Sequence, residues 1–177
     1  MKKKAIKKVL VLLVLLGSAA QMLSVNAASV GTSGVSTAFS KGATSVGIVA
    51  GSGTAFNDNY IILGVGIGYY LFNGLELGVD VQHWFSGDPA ITKVSPQVKY
   101  VFSQAEVIKP YVGAFYRTAY IDGYDNQDSY GYRAGAYFSG SKGVYVGGGI
   151  VYEEYKDCPS YLDCSNTYPE ILISVNF

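Results

Sequence analysis

The chain has 177 residues, enough for one domain, with 13 basic and 13 acidic residues, 22 glycines, 16 tyrosines and a single histidine. Five of the basic residues, Lys2, Lys3, Lys4, Lys7 and Lys8, fall within the first 27 positions; without them 8 basic residues stand against 13 acidic ones, a net of −5. That balance excludes a polyanion such as nucleic acid as partner, which needs a basic surface, and one histidine leaves little room for acid–base catalysis.

Residues 1–27 are predicted to be a secretory signal peptide. The lysines form a positive leader, Val9–Leu16 is an unbroken apolar run, and Val25-Asn26-Ala27 offers small residues for cleavage. Eight apolar residues in a helix cover about 12 Å, too little to span a bilayer. No cysteine follows the run, so a lipoprotein signal is not expected. Residues 28–43 are small and polar and are expected to be a flexible lead-in. From residue 44 to 177 the pattern changes to period two, the mark of strands with two unlike faces.

The first strand, near Ser45–Thr54, sets Val46, Ile48 and Ala50 against Gly47, Val49 and Gly51. The second carries Ile61, Leu63, Val65, Ile67, Tyr69 and Leu71 on one face and Ile62, Gly64, Gly66, Gly68 and Tyr70 on the other. Asn73-Gly74 is a hairpin signal. The third alternates Leu75, Leu77, Val79 and Val81 with Glu76, Gly78, Asp80 and Gln82. The fourth alternates Val94, Val98, Tyr100 and Phe102 with Lys93, Ser95, Gln97 and Lys99, and Pro96 predicts a bulge there. The fifth opposes Val112, Ala114, Tyr116 and Tyr120 to Gly113, Phe115 and Arg117; the sixth opposes Tyr130, Tyr132, Ala134, Ala136 and Phe138 to Gly131, Arg133, Gly135 and Tyr137. The seventh sets Val144, Val146 and Ile150 against Gly147, Gly149 and Glu153, and the eighth sets Ile171, Ile173, Val175 and Phe177 against Glu170, Leu172, Ser174 and Asn176. Strands of about ten residues cross a bilayer at a tilt of roughly 45°. The competing fold is a secreted β-sandwich, which also shows short alternating strands.

This pattern, closing on Ile171-Leu172-Ile173-Ser174-Val175-Asn176-Phe177, resembles the small eight-stranded outer-membrane barrels of Gram-negative bacteria, in the manner of the outer membrane protein A transmembrane domain and outer membrane proteins X and W. The resemblance implies an all-β, eight-stranded antiparallel up-and-down transmembrane β-barrel over residues 44–177, in the cell outer membrane, with both termini periplasmic. It further implies Phe177 as an assembly signal read by the barrel-assembly machinery. Periplasmic chaperones, outer-membrane lipid and lipopolysaccharide are the implied partners, and the expected state is a monomer.

In such a barrel the inward faces hold four acids, Glu76, Asp80, Glu153 and Glu170, and four bases, Lys93, Lys99, Arg117 and Arg133. Counting from the lower strand ends places Glu76 and Lys99 low, Asp80, Arg117, Arg133 and Glu170 midway, and Lys93 and Glu153 high, each level neutral. Arg117 and Arg133 are expected to extend toward the glycine-lined first and second strands. Paired charges would plug a narrow lumen; the alternative is a narrow channel for small solutes or hydrophobic molecules.

Outer loops are expected near Phe56–Asn59, Gly87–Ile91, Ile121–Ser129 and Lys156–Tyr168. Asp122, Asp125 and Asp128 offer oxygens for a divalent cation but lack the spacing of a calcium loop, so solvated acids are the expectation. Cys158 and Cys164 are expected to form a disulfide in an exported loop, and no metal site is expected from them, since no histidine lies near. The outer-membrane lipid A deacylase, also an eight-stranded barrel, places serine two residues after its histidine; in His83-Trp84-Phe85-Ser86 it stands three on, so a lipid-modifying enzyme is only the last alternative. His83 is instead expected in an interfacial girdle with Trp84 and Phe85. No enzyme activity, catalytic residue or cofactor is expected.

Overall fold

The computed structural model describes residues 37–104, 107–139, 143–157 and 164–177. Its eight strands are β1 (Thr44–Ala55), β2 (Asp58–Phe72), β3 (Leu75–Phe85), β4 (Ile91–Val101), β5 (Ile108–Ile121), β6 (Gln127–Ser139), β7 (Val144–Tyr155) and β8 (Ser165–Asn176). Each pairs antiparallel with its neighbours in the chain, and β8 returns to β1 to make a closed barrel. The lower end is the one at which Thr44 and Phe177 exchange two backbone hydrogen bonds, of 2.7 and 3.0 Å.

Alternation decides the faces. Outward positions such as Ile61, Leu63, Val65 and Ile67 on β2 and Ile171, Ile173 and Val175 on β8 are exposed, while the residues between them are buried or lie at glycines. Going up each strand, the outward apolar series ends at a polar residue: Ser52 on β1, Asn59 on β2, His83 on β3, Thr92 on β4, Thr118 on β5, Asp128 on β6, Glu154 on β7 and Thr167 on β8. About ten tilted residues lie below this collar, roughly 25 Å of height.

The turns are tighter than the sequence implies. The loop expected at Phe56–Asn59 is two residues, Phe56 and Asn57, with φ of 53° and 61°, and Asp58 and Asn59 belong to β2. Two successive positive φ values match a hairpin turn to the strands' twist. Ile121 and residues 127–129, also expected in a loop, lie in β5 and β6, and Tyr168 lies in β8. Gly74 holds φ 82° in the predicted hairpin turn.

Three further expectations change. The pairing of β4 with β5 keeps one register across Pro96, from Val94↔Thr118 to Gln97↔Phe115, so there is no bulge. A proline removes one donor without adding a residue. The register shift in this wall lies instead between β2 and β3, at Tyr70/Phe72. Trp84 does not join His83 in a girdle: it is fully buried in the lumen, whereas His83 and Phe85 stack outside with centroids 6.3 Å apart. Period two forbids Trp84 from sharing their face.

The segment 28–43 is folded in its described part. A short 3-10 turn, Thr37–Phe39, brings Phe39 into the lower mouth, 1% exposed, against Tyr70, Tyr137 and Tyr145. Backbone bonds from Gly74 to Phe39, Gly42 to Tyr70 and Tyr70 to Ala43 hold it. Burial of an aromatic side chain outweighs the small polar character of its neighbours. The predicted signal peptide, residues 1–27, lies outside the described residues.

Candidate functional site

The lumen is stacked in layers. Aromatic and aliphatic side chains fill the upper end, including Tyr60, Trp84, Phe115, Tyr155 and Tyr168. A second group, including Phe39, Tyr70, Tyr111, Tyr137 and Tyr145, fills the lower end. All eight charged residues anticipated from the inward faces are buried between them.

The upper charges converge on Glu153. Lys93 Nζ donates to its two carboxylate oxygens at 3.0 and 2.9 Å, Arg117 Nη1 at 2.9 Å, Ser129 Oγ at 2.7 Å and the Tyr168 hydroxyl at 3.3 Å. Arg117 also donates through Nε to Ser95 Oγ and through Nη1 to the Tyr168 hydroxyl, both at 2.6 Å. Lys93 reaches the Tyr155 hydroxyl at 3.0 Å and lies 3.9 Å from the centre of the Trp84 ring. One carboxylate thus ties together β4, β5, β6, β7 and β8 across the lumen.

The lower charges are looser. Lys99 stands 3.2 Å from Glu76, and Arg133 stands 3.4 Å from Asp80 and 3.6 Å from Glu170. Tyr137 accepts from Lys99 and Tyr111 donates to Glu170, each at 3.0 Å. Glu76 Oε2, Gln97 Oε1, Arg133 Nε and Glu170 Oε2 are buried without a hydrogen-bond partner. A cavity of about 30 Å³, lined by Glu76, Asp80, Gln97, Lys99 and Arg133 among others, opens beside them. Such a space holds about one water, and its polar walls suit one.

Two details depart from the sequence reading. The levels are not neutral in their ion pairs: Glu153 serves both Lys93 and Arg117 above, while Glu76, Asp80 and Glu170 pair with Lys99 and Arg133 below. Arg117 pairs with Ser129 and Ser129 with Tyr155, so the stagger of the strands brings Arg117 beside Glu153, two residues from Tyr155, which counting along separate strands cannot register. Nor do the arginines take the space over the β2 glycines. Side chains of the adjacent β3 do: added carbons at Gly64, Gly66 and Gly68 would meet Gln82, Asp80 and Glu76. Arg133 meets its acids on β3 and β8 instead.

Sequence reasoning missed Lys109, which is 4% exposed at the lower end and donates to the Ser103 carbonyl at 3.1 Å. Its place on the inward parity of β5, beside Pro110, was the available signal. It also missed the tyrosine hydroxyls of Tyr111, Tyr137, Tyr155 and Tyr168 as lumen partners.

Elsewhere, His83 Nδ1 lies 3.0 Å from Thr92 Oγ1 on the outer wall, and Ser86 falls beyond the end of β3. Asp128 accepts from Tyr116 at 2.7 Å and Thr118 at 2.8 Å. Lys156, beyond β7, donates to the Tyr116 hydroxyl at 3.2 Å, and this bond holds its ammonium above the ordinary lysine range. Among the described residues no group of three acidic, histidine or cysteine side chains is placed to hold a metal. Cys158 lies outside the described residues, and Cys164 directly precedes β8.

No known protein family matches the chain, and no curated protein does. Solved structures match in fold. The N-terminal β-barrel domain of Pseudomonas aeruginosa OprF is 16% identical, with a TM-score of 0.59 over 77% of this chain and 98% of that one. Neisserial surface protein A is 15% identical, with a TM-score of 0.59 over 76% and 96%. A transmembrane β-barrel designed de novo is 18% identical, with a TM-score of 0.55 over 77% and 97%. The chain therefore has the architecture of the small eight-stranded outer-membrane barrels. A fold shared with a designed protein carries no activity with it.

Proposed function

We propose that this protein is a non-enzymatic barrel of the outer membrane of a Gram-negative bacterium, with a structural or surface-interaction role and a lumen plugged by paired charges. The closed sheet, its apolar outer band of about 25 Å and the polar collar above it support membrane residence, since a closed barrel leaves no backbone edge in lipid. Among the described residues no helix is long and apolar enough to cross. In this reading both termini face the periplasm, the upper turns face outward toward lipopolysaccharide, and Phe177 serves the assembly machinery. Cys158 and Cys164 staple the last outer loop, adding about 2 kcal/mol.

The observation that carries the plug is the Glu153 node, where a single buried carboxylate takes bonds from Lys93, Arg117, Ser129 and Tyr168. A path for ions through the upper lumen would have to separate these groups. In planar bilayers the wild-type barrel should show no steady conductance, and Arg117→Ala should begin to pass small ions. Steady conductance of the wild type, unchanged by Arg117→Ala, would favour the narrow-channel reading.

A further inference from the structure

The wall of the barrel is incomplete at one place. The β1–β8 ladder runs from Ser45↔Asn176 to Gly51↔Glu170 and stops, although β1 continues to Ala55 and β8 begins at Ser165. At every other junction the pairing continues into the upper part of the strands, as in Ala55↔Asp58 between β1 and β2 and Glu154↔Ser165 between β7 and β8. Pro169 would be the next partner on β8, and it has no N–H to offer. A notch of about 390 Å³ occupies the gap, lined by Ser52, Thr54, Asn59, Asn166, Thr167 and Pro169 among others. Asn166 Nδ2 donates to the Thr54 carbonyl at 2.8 Å and bridges the two strands.

The notch begins at the collar, where Ser52 on β1 lies across from Pro169 on β8. On β8, Pro169 continues the apolar outward series of Ile173 and Ile171, and the first polar outward residue is Thr167 above it. Unpaired backbone at this edge of the hydrocarbon gains from a ligand that can hydrogen-bond it. The lining residues are hydroxyls, amides, Gly53, Tyr168 and proline, without a charge. With no cation to pair with a phosphate or carboxylate, this lining favours a neutral head with donors and acceptors. The alkyl part would lie along the apolar wall below, past Ile48 and Ile171, both half exposed or more.

We infer that the β1–β8 notch binds a membrane-borne amphiphile with an uncharged hydrogen-bonding head, a hydroxyl, ester or amide, entering sideways from the upper leaflet. The inference rests on the reading that the barrel spans a membrane. The chain carries its own reporter. Its single tryptophan, Trp84, lies directly behind the notch: a carbon added at Gly53 would come within 2.8 Å of the indole ring.

The test is quenching of Trp84 fluorescence in phosphatidylcholine nanodiscs by a monoacylglycerol brominated on its chain. Bulk probe quenches in proportion to its concentration; an occupied notch adds a saturable component. Replacing both Ser52 and Thr54 by Val, outward β-compatible changes that leave the Thr54 carbonyl in place, should raise the half-saturating concentration about tenfold or more. A brominated alkane without a head should give only the proportional part. Saturation by brominated phosphatidylcholine at equal or lower concentration would assign the site to bulk bilayer lipid and overturn the uncharged head, as would tighter binding of a brominated fatty acid at alkaline pH. Quenching that never saturates, or saturates equally in the double variant, overturns the site while leaving the membrane reading intact. A folded chain that fails to enter the discs removes the membrane reading itself.

Discussion

The upper charge cluster is crowded: Lys93, Arg117 and Glu153 are each fully buried, their ion pairs measure 2.9 Å, and Ser95, Ser129, Tyr155 and Tyr168 bond to them, with Arg117 Nη2 left buried without a hydrogen-bond partner. The lower cluster spans 3.2–3.6 Å across its pairs, and Glu76, Gln97 and Arg133, each with a polar atom lacking a hydrogen-bond partner, line a cavity the size of a water. Both sit in one lumen, between aromatic layers, and use the same side-chain types. What differs is the spacing: above, Ser129 donates to Glu153 and Ser95 accepts from Arg117, whereas below, Gln82 and Tyr111 donate to Asp80 and Glu170 beside a cavity that Gly47 and Gly66 help to line. Desolvation is expensive, and tight geometry offsets it above; below, the cavity has room for a water that would offset it.

Glu153→Ala should give the largest loss of stability, because it strands Lys93 and Arg117 in an apolar layer. A loss of about 3–5 kcal/mol is expected in urea unfolding of the barrel reconstituted in lipid vesicles. Glu170→Ala removes a carboxylate of equal charge, but water can reach Arg133 through the cavity. Its expected cost in the same assay is about 1–3 kcal/mol. Equal losses for the two variants would break the comparison, and the lower cluster would then be as tightly held as the upper. The smallest effect belongs outside the lumen. Tyr116→Phe loses a bond to Asp128 and one from Lys156 on an exposed patch, and unfolding should shift by less than about 1 kcal/mol. A larger shift there would mean that the outer wall, not the lumen, carries the polar contribution to stability.

The sequence made the sheet legible because parity is a local property. Leu77, Val79 and Val81 against Glu76, Asp80 and Gln82 state which way β3 faces whatever it pairs with, and the structure agrees on all eight strands. Height and reach are not local. Arg117 is expected midway but bonds to Glu153 of the upper cluster, because the shear of the barrel offsets levels counted along separate strands. Trp84 was grouped with His83 by adjacency, although parity, applied consistently, puts it inside. Phe39 sits in a stretch of small polar residues without periodicity, so nothing in its neighbours announces that it closes the lower mouth. Lys109 satisfied the parity rule and was overlooked beside Pro110.

The seam that ends at Gly51↔Glu170 also bears on how the barrel comes together. Seven of the eight pairings join strands adjacent in the chain, each a hairpin that closes a short loop. The eighth joins Ser45 to Asn176, and everything between them must be in place first. Closure of β1 against β8 is therefore the one step whose cost is set by the whole chain and not by a turn. Loop closure predicts that contacts across that seam form last and break first, which hydrogen exchange of the β1 and β8 amides would check. Changes to them act on the rate of opening and leave the rate of hairpin formation nearly untouched.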